Sequence, residues 1–252
     1  MKPRQRLWLF LVAVAGLTSF YLWGLVGLPG FGHYPGPYGD IINRIAVGQT
    51  NATGVVSAVN FEYRGIDTLG EEFILFAAAT GVAIVLRHLR GEREHQPTEA
   101  ASPDARQDSP AVRQLSLLLT GPMLVLGWNL ASHAQTSPSG GFQGGVVLAS
   151  SFVLIYLAGQ LLTLRRLSPV DVTDAVEAAG AAGFVAIGIA GVAMGLPYLT
   201  NFLGLGTMPG AVSSSGTIAL ISFFVGIEVA AAFLLIVSEL LDQTLLVRQE
   251  TS

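Results

Sequence analysis

Apolar residues in this chain gather into long unbroken runs with little internal polarity, and polar residues are confined to the intervals between them. The runs cover about Leu7 to Leu28, Leu69 to Leu89, Gln114 to Ser132, Gly144 to Leu164, Asp174 to Leu196 and Gly216 to Leu241. A hydrocarbon core about 30 Å thick is crossed by about 20 helical residues. The pattern therefore predicts an all-α, polytopic integral membrane protein with six transmembrane helices.

The intervals divide the chain. Pro29, Gly30, Gly32, Pro35, Gly36 and Pro37 form a loop that cannot continue a helix. Between about Gly91 and Pro110 the sequence GEREHQPTEAASPDARQDSP is charged and aperiodic, as a solvated linker is. It separates a two-helix region, 1–90, from a four-helix region, 111–252. A third interval, SPSGGFQGGVVLAS from Ser137 to Ser150, is a Pro/Gly hinge opening directly into an apolar helix. Its glycines suit close backbone approach where polar groups must be satisfied inside protein. The hinge residues Pro138, Gly140, Gly141, Phe142, Gln143, Gly144 and Gly145 are read as a packing and docking element, with Phe142 as a wedge.

Composition agrees with the pattern. The 252 residues are 51% hydrophobic and 12% charged, against about 25% charged in soluble domains. No cysteine is present, which excludes disulfides, iron–sulfur clusters and thiolate metal sites in this chain. Any redox chemistry belongs to partners, and no cofactor is expected. The placement of basic residues says more than the net charge of −4. With a cytoplasmic N-terminus, Lys2, Arg4, Arg6, Arg87, Arg90, Arg93, Arg106, Arg113, Arg165, Arg166 and Arg248 all fall inside. Of the 13 basic residues only Arg44 and Arg64 are left outside. The positive-inside rule thus predicts both termini cytoplasmic. The first run exceeds the roughly 7–15 apolar residues of a signal peptide and lacks an A-x-A site, so it is expected to be a retained helix.

Ionisable groups inside such runs are costly and are functional candidates. Glu228 stands mid-span in FFVGIEVAAAF, where a role in proton or cation passage competes with that of a protonated, hydrogen-bonded packing residue. Glu177 opens the fifth span after Asp171 and Asp174, where capping of the helix is the competing reading. Asp67 and Glu71 are spaced i, i+4, which puts two carboxylates on one helical face about 5–6 Å apart by Cβ and suits a shared proton or a Na+ ion. A helix-capping role for Asp67 stands beside this reading. Glu72, on another face, is expected at the surface, and Glu239 and Asp242 are expected to be solvated. His133, just before the hinge, is a candidate proton relay, with an interfacial hydrogen-bonding role as the competing reading; His88 and His95 are expected to be solvated, and His33 lies in the loop. The ion-path candidates are thus Asp67, Glu71, Glu177, Glu228 and His133. No phosphate loop, nucleophile elbow or H-E-x-x-H motif occurs. LGLGTMPG, Leu203 to Gly210, has no βαβ context, and nothing supports nucleic-acid binding.

SPSGGFQGG resembles a signature of the B subunit of multisubunit Na+/H+ antiporters of the Mrp (Mnh) type, approximately H-G-H-x-S-P-G-G-G-F-Q-G-G. The following FVLIYLAGQ, the segment Glu177 to Phe184, the loop Asn201 to Gly204 and Gly226 to Val229 are similar to that subunit as well. The chain departs from the signature at Ser139, in place of its first glycine, and at Gln135, in place of its second histidine. Val59 to Glu71, VNFEYRGIDTLGE, is similar to the end of the large A subunit and to a small subunit of membrane-bound hydrogenases. The resemblance implies a fusion of two neighbouring subunits acting within a cation/proton-translocating assembly related to the membrane arm of respiratory complex I. It implies other Mrp-type subunits, large and small, as partners, Na+ and H+ as transported ions, and the plasma (cell inner) membrane as location. A module of a membrane-bound hydrogenase or related energy-converting oxidoreductase is the alternative, and a purely structural interaction subunit is the third.

Overall fold

The computed structural model describes residues 3–28, 32, 36–93, 109–158 and 161–251. The centre of the charged linker, His33 and His95 lie outside these. Helices make up the described chain: α1 Pro3–Val26, α2 Pro37–Thr50, α3 Val55–Ala58, a π-turn Val59–Tyr63, α4 Gly65–Arg93, α5 Pro110–Ser132, α6 Gly141–Leu157, α7 Leu161–Leu167, α8 Val170–Ala193 and α9 Thr217–Thr251. No strand occurs among the described residues.

Two compact units are present, 1–41 and 42–252. The first is built on α1, whose stretch Leu7–Val26 has a mean hydropathy of 2.0. In the second, α9 is the common member and packs on α4, α5, α6 and α8. This unit runs across the linker, since α4 precedes it in sequence and still packs on α8 and α9.

Five described helices are long and apolar enough to cross a membrane: Leu7–Val26, Gly65–Arg87, Pro110–Ser132, Val170–Ala193 and Thr217–Asp242. The protein is an all-α polytopic membrane protein. The run expected to be one span from Gly144 to Leu164 is instead divided: α6 stops at Leu157 and α7 begins at Leu161. Seventeen residues reach about 26 Å, just short of the hydrocarbon thickness. The 14-residue α2 follows the Pro/Gly loop. No long apolar run marks it, and it buries Ile42, Ala46 and Thr50.

Local chemistry explains where the long helices start and stop. Pro110 opens α5 at a position where its missing N–H costs nothing. Gly195, at φ 77°, ends α8 by taking the left-handed conformation that leaves Leu196 N–H to donate to Gly191 O. The start of α9 is capped from afar: Asn201 Oδ1 accepts the Thr217 N–H at 2.9 Å.

The hinge glycines set the helix spacing. A Cβ on Gly144 would lie 2.5 Å from Ala131 N of α5, and one on Gly145 would lie 2.6 Å from Gly226 O of α9. Both are shorter than atoms tolerate, so α6 packs backbone to backbone on two neighbours at once. Ser222 Oγ donates to Ala131 O at 2.9 Å in the same contact.

Candidate functional site

Among the described residues, four carboxylates are buried inside the second unit: Glu72 on α4, Glu177 on α8, and Glu228 and Glu239 on α9. Burying a charge without a partner is expensive, so each needs a proton, a counter-charge or an ion. Their surroundings separate them into two kinds.

At one end of the bundle, Arg87 of α4 grips two acids. Its Nη1 and Nη2 donate to the two oxygens of Asp174 at 2.7 and 2.9 Å, and its Nε donates to Glu239 Oε1 at 2.7 Å. Arg165 Nη2 donates to Asp242 Oδ1 at 2.6 Å. Glu239 and Asp242 are thus ion-paired, and Glu239 is buried, not solvated as its interfacial position suggested. Their place on α9 turns them toward α4 and α7 rather than toward water.

At the other end lies a cavity of about 200 Å3. It is bounded by Ser57 and the π-turn residues Asn60 and Phe61, by Thr68, Glu71 and Glu72 of α4, by Val225 of α9, and by the hinge from Ser139 to Gln143. The wide turn and the glycine hinge open this space together, and π-turns of this kind recur at functional sites. Ser57 Oγ donates to Ser139 O at 3.2 Å across one wall. Gln143 Oε1 folds back over Gly140, where an added Cβ would meet it at 2.5 Å. Phe142 is 38% exposed and, with Gln143, lies at the cavity's solvent-facing side.

The α4 acids divide differently from the sequence reading. Asp67 and Glu71 are both exposed, and Asp67 is ion-paired with Arg64 through a 2.5 Å bond from Nε. Glu72, expected at the surface, is 1% exposed and carries the buried carboxylate. The reason is rotational phase: Thr68, Glu72, Ala79 and Ala83 form one buried stripe on α4, with α9 packed against the helix.

Between the two ends sit Glu228 and Glu177. A Cβ on Gly180 of α8 would lie 2.6 Å from Glu228 Cβ, so α8 and α9 cross at this point. Glu177 stands one turn from Gly180 on the same helix. Neither oxygen of Glu72 or of Glu228, nor Oε1 of Glu177, has a hydrogen-bond partner among the described residues. Glu72 interacts electrostatically with Glu228, Glu228 with Glu177, and Glu177 with Asp174 and Arg87. The acids form a line from the cavity to the arginine cluster.

His133 is placed elsewhere. It caps α5, with Nδ1 at 3.0 Å from Asn129 O and from Ser132 Oγ, and it does not line the cavity. Gln135, two residues on, is fully buried and donates from Nε2 to Val212 O at 2.7 Å, tying the hinge to the α8–α9 loop. Asn201 in that loop donates to Glu62 Oε2 at 3.1 Å and to Ser215 O at 2.9 Å. Burial pushes the Glu62 carboxyl above the usual carboxylate range, and the Asn201 hydrogen bond opposes that shift. Among the described residues no group of three or more His, Asp or Glu is arranged to hold a metal ion.

The chain is similar, over 88% of its length, to 91% of an uncharacterised protein of Methanocaldococcus jannaschii, at 26% identity. It is 35% identical over 89 residues to the B subunit of the Na+/H+ antiporter of Bacillus subtilis, spanning 34% of this chain and 60% of that protein. Among solved structures, a chain of the membrane-bound sulfane sulfur reductase, an archaeal respiratory membrane complex, superposes with a TM-score of 0.70 at 27% identity. That match covers 94% of this chain and 98% of the other. A chain of the Mrp complex from Dietzia superposes at 0.69 with 22% identity, over 95% of this chain and 26% of that one, and shows a shared fold. That match takes in this chain on both sides of the charged linker within one longer chain. The segment holding the hinge, Glu177 and Glu228 matches a described family: residues 111–235 are similar to the domain related to the MnhB subunit of Na+/H+ antiporter.

Proposed function

We propose that the protein is an accessory membrane subunit of a multisubunit cation/proton antiporter of the Mrp type. The observation that carries this reading is the line of buried carboxylates, Glu72, Glu228 and Glu177, on three helices packed together within and beside an MnhB-related domain. Carboxylates held without fixed partners can pass a proton or a cation from one to the next, and Arg87 with Asp174 and Glu239 closes the line at its far end. The fused N-terminal region, 1–90, supplies α4 and hence Glu72 and Arg87. The partners are other Mrp-type subunits, and the complex resides in the plasma membrane. Arg87 and Arg165 mark the cytoplasmic end, in keeping with the positive-inside rule. Asp67 and Glu71 stand where ions would first meet the subunit, and the exposed face of Phe142 would dock a neighbour.

In vesicles holding the intact complex, Glu228→Gln is expected to lower cation-driven proton exchange at least tenfold while the complex still assembles. Exchange at the wild-type rate would overturn the path assignment.

A second reading is favoured by the end-to-end match to a chain of an archaeal respiratory complex. There the same subunit would serve an oxidoreductase as an energy-conserving part, binding none of its cofactors. Purification of the intact complex decides: copurifying redox subunits support the second reading, and large antiporter-like subunits alone support the first.

A further inference from the structure

The hinge cavity combines features that the path alone does not require. Glu72 presents a carboxylate that is 1% exposed, with neither oxygen hydrogen-bonded among the described residues, and its residue lines the cavity. The charged groups that reach it are Glu71 on its own helix and Glu228 on α9, both acidic. A buried anion among anions is sustained only by a bound proton or by a counter-cation. The cavity can hold the latter. A volume of about 200 Å3 accommodates an ion with several waters, at roughly 30 Å3 per water. Neutral oxygens of Ser57, Asn60 and Thr68 stand around it, and oxygen is the donor that hard cations take.

We propose that this cavity binds one monovalent hard cation, with Glu72 as its anionic ligand, and that cation and proton alternate on that carboxylate. One deeply buried charge matches one positive charge; a divalent ion would leave an excess in a low-dielectric site. Glu71, exposed at the cavity, attracts the incoming ion, and Phe142 with Gln143 stands at its solvent side. Binding is an exchange: as the cation joins the Glu72 oxygens, the proton held there leaves to water. The inference rests on the antiport reading for its purpose, but its test does not.

The test uses the intact complex in detergent and a Gln143→Cys reporter, on a chain that has no cysteine of its own. The rate at which a methanethiosulfonate reagent labels this subunit is measured against Na+, K+ and N-methylglucamine at constant ionic strength. Na+ or K+ should slow labelling several-fold and saturably, while N-methylglucamine should not. The half-saturating concentration should rise as pH falls, by up to about tenfold per unit, the slope of one proton exchanged for one cation. Glu72→Gln in the reporter background should abolish the protection. Protection unchanged in Glu72→Gln, or absent with both cations in the reporter itself, overturns the site. If the reporter fails to assemble, equilibrium binding of radioactive Na+ and K+ to wild type and to Glu72→Gln decides the same question. Cation protection in a complex whose vesicles exchange no protons would overturn the antiport reading and leave the site standing.

Discussion

At the arginine end of the bundle, Glu239 is as deeply buried as Glu72 is at the hinge end, yet the two are held in opposite ways. Glu239 receives the Arg87 Nε at 2.7 Å, and the same guanidinium makes a two-pronged contact with Asp174. Glu72 faces a cavity with no hydrogen bond to either oxygen among the described residues. The first arrangement is closed by a counter-charge, since one guanidinium reaches Glu239 Oε1 and both oxygens of Asp174. The second is open and is completed only by something that comes and goes. What joins the helices also differs, ion pairs at one end and contact between glycine backbones at the other.

The largest effect should come from the glycine contact. Gly144→Leu would drive a side chain into α5, where even a Cβ lies 2.5 Å from Ala131 N. No local shift accommodates this without separating α6 from its neighbours, so the subunit should be lost from the purified complex. Its recovery at wild-type level would show that the hinge end is not held by close packing.

Arg87→Ala comes next. Removing one partner of a buried ion pair costs about 3–5 kcal/mol; Arg87 is 35% exposed, which brings the expectation down to about 2 kcal/mol. Thermal inactivation of the purified complex should shift down by several degrees and recover largely when Glu239→Gln is added. Glu72→Gln, which resembles the protonated form, should leave the same midpoint unchanged or raise it in buffer free of Na+ and K+. Equal losses in Arg87→Ala and Glu72→Gln would erase the distinction between the two ends.

The smallest effect concerns Glu62 at the loop side of the hinge end. Its carboxyl lies above the ordinary value of 4.5 in the folded protein. The folded state therefore holds this proton more tightly than the unfolded chain. The stabilisation is complete below about pH 4.5 and is lost as pH rises through the folded value. Glu62→Gln, which resembles the protonated form, should flatten the decline of thermal stability just above pH 4.5. An unchanged slope would assign that decline to other groups.

The membrane class, most helices and the acids at Glu177 and Glu228 were legible because a soluble fold seldom carries such long apolar runs or places lone charges within them. The α4 acids mark the limit. Spacing alone pairs Asp67 with Glu71, but spacing does not say which face turns inward. The clue was present: Glu72 keeps helical step with Thr68, Ala79 and Ala83, residues small enough to admit a neighbouring helix. Glu239 was misplaced for a related reason, since Arg87 is 152 positions away in sequence and only the packing of α4 on α9 brings them together. The cavity itself was not legible. It arises from the meeting of a π-turn and a glycine hinge that are far apart along the chain.

The length and continuity of α9 carry a mechanical consequence. It runs without a proline from Thr217 to Thr251, so one stiff rod touches the hinge at Val225 and Gly226, carries Glu228 at mid-depth and holds Glu239 on its buried face. The last two are 11 residues apart, close to three full turns and about 16 Å, and so look out on nearly the same side. A rod of this kind cannot yield at one end alone: an axial slip that loosened Glu239 from Arg87 would pull the wall of the cavity with it. The cavity end and the arginine end are therefore geometrically geared, without any hinge along the way.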